Sequence, residues 1–132
     1  YDENLNRRKE IFTAYDQAFR NDSWAITPLH TNENKISSYH LYMLRVDSAT
    51  EDQRDAVIQE IAAKDVSVNV HFQPIPMLTA YKKRGFKIED YPNTYSKYAN
   101  EISLPVYFNL SNDDVKTVID TVRSAVDTIL GH

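Results

Sequence analysis

Val66-Ser-Val-Asn-Val-His-Phe-Gln-Pro-Ile-Pro-Met-Leu-Thr-Ala-Tyr81 is the stretch on which the reading of this chain turns. Val66, Val68, Val70 and Phe72 alternate with Ser67, Asn69, His71 and Gln73, and side chains alternate faces along a strand. The first half therefore predicts a half-buried strand whose polar face carries one imidazole. Pro74 and Pro76 end it, because proline donates no ladder hydrogen bond and restricts the residue before it. A strand that stops at a rigid loop, with a histidine beside the exit, presents that side chain to a cleft.

Before this stretch, Thr50 with Gln53 forms a capping-box pattern, and Val57, Ile58, Ile61 and Ala62 give a helix its buried stripe. Ser38 to Val46 is apolar on both faces except at His40 and Arg45, and predicts an interior strand. Trp24 to Leu29 reads as extended and Thr31 to Lys35 as a polar turn. Leu5 to Phe19 sets Ile11, Phe12, Tyr15, Ala18 and Phe19 on one helical face.

After the prolines, Met77 to Arg84 predicts a short helix with Gly85 as a left-handed stop. Lys87 to Asn93 is a loop and Tyr95 to Glu101 a helical turn or two. Ile102 to Phe108 is a short strand that Pro105 confines to an edge or an end. Ser111 and Asp114 cap a last helix, whose apolar stripe runs from Val115 to Leu130 and stops at Gly131. The sum is an α+β, two-layer small domain: a short mixed sheet of about three strands packed by helices.

Composition narrows the function classes. At 132 residues the chain is one domain's worth, residues 1–132, with ordinary hydrophobic and charged shares of 42% and 26%. A net charge of −4 without long single-sign runs argues against nucleic acid or an anionic membrane as partner. There is no cysteine, hence no disulfide or thiolate metal site, and no apolar run long enough to span a bilayer. The chain opens at Tyr1, and Arg7-Arg8 early in the first helix opposes its macrodipole unless more helix lies upstream. Residues 1–20 are therefore expected to finish a helix begun in a longer protein.

Candidate chemistry is sparse. His71, on a polar face beside the proline-locked loop, is the candidate ligand contact, whereas His40 is expected to be a hydrogen-bonded core histidine. No His spacing supplies a metal site, no nucleophilic triad is recognisable, and there is no glycine-rich phosphate loop. Tyr81, Tyr91, Tyr95, Tyr98 and Tyr107 suit sugar or nucleotide contact, and suit a protein interface better. Phe12, Tyr15, Phe19 and Trp24 are the expected exposed apolar patch of a domain that sits against a larger one.

The runs Tyr39-His-Leu-Tyr-Met-Leu-Arg-Val46, Arg54-Asp-Ala-Val-Ile58, Val70-His-Phe-Gln-Pro-Ile-Pro76, Ala80-Tyr81, Ile102-Ser-Leu-Pro-Val-Tyr107 and Leu110-Ser-Asn-Asp-Asp-Val115 resemble, in order and spacing, the C-terminal part of DegT/DnrJ-type sugar aminotransferases. The resemblance covers nearly the whole chain; it departs at Lys64-Asp65, where the family commonly ends the helix with glycine, so Asp65 is expected to take the left-handed conformation itself. It implies the small C-terminal domain of a fold type I aminotransferase, with residues 1–20 the end of the helix linking it to a missing large domain. The implied parent is a cytoplasmic, homodimeric pyridoxal-phosphate transaminase. It would move an amino group from an amino acid, typically glutamate, to a nucleotide-linked keto-sugar in polysaccharide biosynthesis. Its Schiff-base lysine and phosphate-binding groups would lie upstream of Tyr1, so the chain alone would hold no catalytic, cofactor-binding or metal-binding residue. His71 and Tyr81 are carried over as substrate contacts. Two readings of another class compete: a stand-alone α+β ligand-binding or regulatory module with the tyrosine-rich half as its interface, and an oligomerisation module.

Overall fold

A computed structural model describes residues 1–132. Helix α1 (Asp2–Phe19) buries Ile11, Phe12, Tyr15 and Phe19, the stripe that helical spacing predicts. These residues and Trp24 are at most 5% exposed, so the aromatic patch expected at the surface is instead part of the core. The reason is local. Phe12 lies edge-on to both Tyr39 and Tyr42, at 5.2 and 5.1 Å, and Tyr15 lies edge-on to Tyr42 at 5.0 Å. The domain consumes its own aromatic face, at a gain of roughly 0.5–1.5 kcal/mol per ring pair beyond area burial.

Three strands form the main sheet in the order β1 (Ala25–Ile26), β4 (Tyr42–Val46), β5 (Glu101–Leu104), and both pairings are antiparallel. The sheet is thus not mixed, as expected, but antiparallel throughout. After α2 (Glu51–Ala62) the chain reaches the sheet beside β5 and not beside β4, and contributes only an isolated antiparallel bridge, Asn69 to Ser103. The predicted strand Val66–Phe72 is therefore an extended crossing with one rung. Its apolar face fades along its length: Val66 is buried, Val68 and Val70 are half-buried, and Phe72 is 85% exposed.

Strand β4 begins later than its sequence suggests. Tyr39 has φ +52°, a conformation that breaks strand alternation, and a hydrogen bond from its N–H to Ser37 Oγ (3.0 Å) accompanies it. His40 is consequently exposed and is not a core histidine. The polar turn before it is a small antiparallel ribbon, β2 (Thr31–Asn32) and β3 (Lys35–Ile36).

Helix α5 (Asn112–Leu130) packs against both α1 and α2 on the inner face, burying Val115, Val118, Ile119, Val122 and Val126. Both predicted capping boxes are formed, Thr50 with Gln53 and Ser111 with Asp114, each worth about 1 kcal/mol. Asp65 does end the α2 region at φ +60°, and Gly85 and Gly131 take the positive φ their positions require. Three arginines bind helices to their neighbours through main-chain oxygens: Arg7 donates to Leu110 O, Arg54 to Tyr98 O (2.7 Å) and Arg123 to Ala18 O (2.6 Å).

From His71 to Asp90 the chain leaves this body as an arm. It contains a 3-10 turn at Ile75–Met77, α3 (Thr79–Lys82) and a second 3-10 turn at Ile88–Asp90, before α4 (Pro92–Ala99) returns it to β5. Its backbone hydrogen bonds are local, such as Met77 N–H to Pro74 O, Tyr81 N–H to Leu78 O and Phe86 N–H to Tyr81 O. Phe72, Ile75, Leu78 and Phe86 are exposed along it.

Candidate functional site

The sheet's alternation decides which side chains meet outside the core. Tyr42, Leu44 and Val46 of β4, and Ile102 and Leu104 of β5, point inward and are buried. Met43, Arg45, Glu101 and Ser103 therefore stand on the outer face, where all four are half-buried. Register pairs Arg45 with Glu101 and Met43 with Ser103. Because Asn69 bridges Ser103 antiparallel, His71 falls two residues further along, beside Glu101. Arg45, Glu101 and His71 thus line up as a row across three chain segments.

Each member of the row is held differently. Arg45 Nε donates to Asn100 Oδ1 (3.1 Å). The Glu101 carboxyl is pushed above the usual carboxylate range by burial, while the nearby charges of His71, Arg54 and Arg45 oppose that rise. His71 is half-buried, its ring 4.7 Å from that of Phe72. Tyr81 lies further along the arm on α3, half-buried and packed edge-on against Phe86 at 5.8 Å. The two residues singled out from sequence therefore share the arm, each resting on its own phenylalanine. His40 does not join them, because β5 separates β4 from the His71 segment.

The root of the arm is a tyrosine and glutamate cluster. The hydroxyls of Tyr95 and Tyr98 both donate to the Glu51 carboxylate at 3.1 Å. The Glu51 bond raises the Tyr95 hydroxyl's pKa; burial, with the same bond, raises that of Tyr98. Arg54 is buried beneath them, its guanidinium 4.9 Å from the Tyr98 ring centroid. A cleft of about 470 Å³ opens here between Glu51 and Tyr95 and the arm residues Met77 and Ile88.

A second polar cluster was not foreseen. Tyr42 Oη donates to Asp16 Oδ1 (2.7 Å), and His30 Nε2 lies 3.2 Å from the same oxygen, beside a cleft of about 440 Å³ along α1. Burial and the Asp16 bond push the Tyr42 hydroxyl's pKa far above the ordinary phenol range. Nothing in the local pattern of Pro28-Leu29-His30 marks it, since its partners lie 14 and 12 positions away along the chain in opposite directions. Only the aromatic density of Tyr39-His-Leu-Tyr42 facing Phe12 and Tyr15 could have hinted at a polar group sealed within it.

The sequence profile of the DegT/DnrJ/EryC1/StrS aminotransferase family matches residues 1–123. The chain belongs to this family. It is 36% identical to the Bacillus subtilis spore coat polysaccharide biosynthesis protein SpsC over 95% of its length. It is 28% identical to the Campylobacter jejuni UDP-4-amino-4,6-dideoxy-N-acetyl-beta-L-altrosamine transaminase over 97%. Among solved structures it superimposes on a candidate sugar aminotransferase of Streptococcus pneumoniae, in its apo form, with a TM-score of 0.95 at 39% identity over 99% of the chain. The same protein has been solved in PLP and PMP forms. The chain spans 33%, 34% and 33% of the lengths of these family members, that is about a third.

For pyridoxal phosphate, which the family implies, this chain by itself presents neither a desolvated lysine nor an open long-helix N-terminus. A Schiff-base lysine needs a desolvated amine, and all eight lysines are exposed. Helix N-terminal amides are a common seat for a phosphate. The α2 and α5 N-termini are closed by their own capping boxes, and every long helix begins with acidic residues: Asp2 and Glu3, Glu51 and Asp52, Asp113 and Asp114. No three His, Asp or Glu side chains converge for a metal ion either.

Proposed function

We propose that residues 1–132 are the C-terminal small domain of a pyridoxal-phosphate transaminase that aminates a nucleotide-linked keto-sugar for polysaccharide synthesis. Residues 1–20 would complete the helix from a large cofactor-binding domain. The observation that supports this is coverage: nearly the whole chain matches about a third of the length of family members, one of them solved in PLP and PMP forms. The cofactor, when bound, supplies the amino group's carrier, and its lysine and phosphate cradle belong to the large domain. An amino acid is the donor, the parent is a cytoplasmic homodimer, and no helix here is long and apolar enough to cross a membrane.

This chain's part is to form one wall of the substrate cleft. His71 and Tyr81 offer an imidazole and a phenol on an arm whose apolar side chains are exposed. Such groups bind and orient a sugar hydroxyl, and the surrounding apolar surface excludes water. In the complete transaminase, His71→Ala should raise KM for the sugar substrate about tenfold with cofactor retention unchanged. Unchanged kinetics would remove His71 from the site. The 132-residue chain, reduced with borohydride in the presence of pyridoxal phosphate, should give no single stoichiometrically labelled lysine; one such lysine would overturn the assignment of the cofactor to the large domain.

A further inference from the structure

We propose that Glu51 is the positioning residue of the arm: its carboxylate clamps α4, and through α4 it sets where His71 and Tyr81 stand. The inference rests on the reading of those two residues as substrate contacts given above. Its own ground is a set of hydrogen bonds. The Tyr95 and Tyr98 hydroxyls each donate to Glu51, one to each carboxylate oxygen, at 3.1 Å. The two tyrosines are three positions apart, so they share a face of α4 and meet one acceptor. Glu51 is itself held in place. It is the first residue of α2, where the helix dipole favours a negative side chain, and the Thr50–Gln53 capping box leaves that side chain free. Arg54 Nη2 lies 3.7 Å from the oxygen that receives Tyr98.

Little else decides the lie of the arm. From His71 to Asp90 the backbone hydrogen bonds are all local, and no side chain of this segment joins the body by a hydrogen bond or ion pair. Its one buried residue, Pro74, lies near the outgoing end. The arm is thus placed by its two ends: the Asn69–Ser103 bridge where it leaves and α4 where it returns. Helix α4 buries only Ala99, so an apolar stripe does not fix its tilt. Its C-terminal end is pinned by Arg54 to Tyr98 O (2.7 Å) and by Arg45 Nε to Asn100 Oδ1 (3.1 Å). Tyr95 stands nearly a turn closer to the arm, about 4.5 Å along the axis. With the far end pinned, the Tyr95–Glu51 bond is the second point that fixes the helix axis, and with it the direction of the chain entering the helix. The cleft of about 470 Å³ between Glu51, Tyr95, Met77 and Ile88 leaves the arm room to swing once that point is released.

The test joins a distance measurement on the chain with kinetics on the complete transaminase. The chain has no cysteine, so nitroxides attached through Lys83→Cys on the arm and Lys116→Cys on α5 label those two exposed sites alone. Glu51→Ala should broaden the spin–spin distance distribution about twofold, and Tyr95→Phe, at an exposed position, should broaden it less. Glu60→Ala, which removes the Lys64 ion pair at the other end of α2, should leave it unchanged. In the complete enzyme Glu51→Ala should raise KM for the sugar substrate about fivefold while kcat stays within about twofold, a split that a general loss of stability would not give. An unchanged distribution, or an unchanged KM where His71→Ala raises it, overturns the clamp and leaves the placement of His71 standing. If His71→Ala has no effect on KM, that placement falls, and the distribution alone decides whether Glu51 holds the arm. Should Glu51→Ala fail to fold, Tyr95→Phe decides: a distribution identical to that of the labelled parent overturns the proposal.

Discussion

The α1 face and the His71–Asp90 arm spend their aromatic residues in opposite ways. On α1, Phe12, Tyr15 and Phe19 pack against Tyr42, Tyr39 and Trp24 and are almost wholly buried. On the arm, Phe72, Ile75, Leu78 and Phe86 remain exposed, and each histidine or tyrosine of interest leans on a single phenylalanine. The first region stores stability and the second stores unsatisfied apolar surface. A domain that contributes to a site shared with other protein needs both: a body that holds shape and a surface that is finished only on contact.

The largest expected effect would break this contrast if it failed. Phe12→Ala should cost about 3–5 kcal/mol of stability, because the cavity it leaves is walled by rings that cannot collapse inward. Phe72→Ala should cost less than about 0.5 kcal/mol in the chain, since an exposed ring has nothing to lose. Urea titrations of both variants would measure this, and comparable losses would mean the arm is packed and not free.

Tyr42→Phe should give an intermediate effect of about 1 kcal/mol, the usual net value of one hydrogen bond. It also carries a pH signature. Tyr42 and Tyr15 have pKa values raised in the fold, by burial first, so they favour the folded state fully below pH 10 and lose that contribution as pH rises through the folded values. The wild type should thus weaken progressively above about pH 10, where unfolded tyrosine ionises, and Tyr42→Phe should weaken less steeply. Parallel curves would show that the buried phenols do not set alkaline stability.

The smallest effect sharpens the comparison from the arm's side. Glu101 also has a raised pKa, so its contribution to stability is present below the ordinary glutamate range and lost as pH rises through the folded value. At neutral pH it opposes folding, and Glu101→Gln should leave the melting temperature unchanged or slightly raised. A clear drop would mark the carboxylate as part of the body's framework.

Much of the body was legible because its signals are local. Capping boxes at Thr50 and Ser111, the stripe of α5 and the left-handed ending at Asp65 each depend on residues within a few positions. What escaped depends on distant partners or on one torsion angle. The positive φ of Tyr39 shortened β4 and turned His40 outward, though the run there is apolar on both faces but for His40 and Arg45. Val66 to Phe72 has a strand's pattern, yet β5 offers it one rung before Pro105 and the departing arm end the pairing. The burial of Arg54 and the Asp16–His30–Tyr42 cluster arise only when α1, α2, β4 and α4 are brought together. For the proposed site, sequence singled out His71 and Tyr81, while the place of Glu101 beside His71 is a matter of register.

Arg7, Arg54 and Arg123 all grip carbonyl oxygens, at Leu110, Tyr98 and Ala18. A main-chain oxygen is present whatever residue occupies a position. The seams between helices can therefore tolerate substitution on one side without losing their anchor. Tyr98 could be replaced and its helix would still be moored to α2, leaving the arm and its surroundings room to diversify toward new ligands while the body keeps its shape.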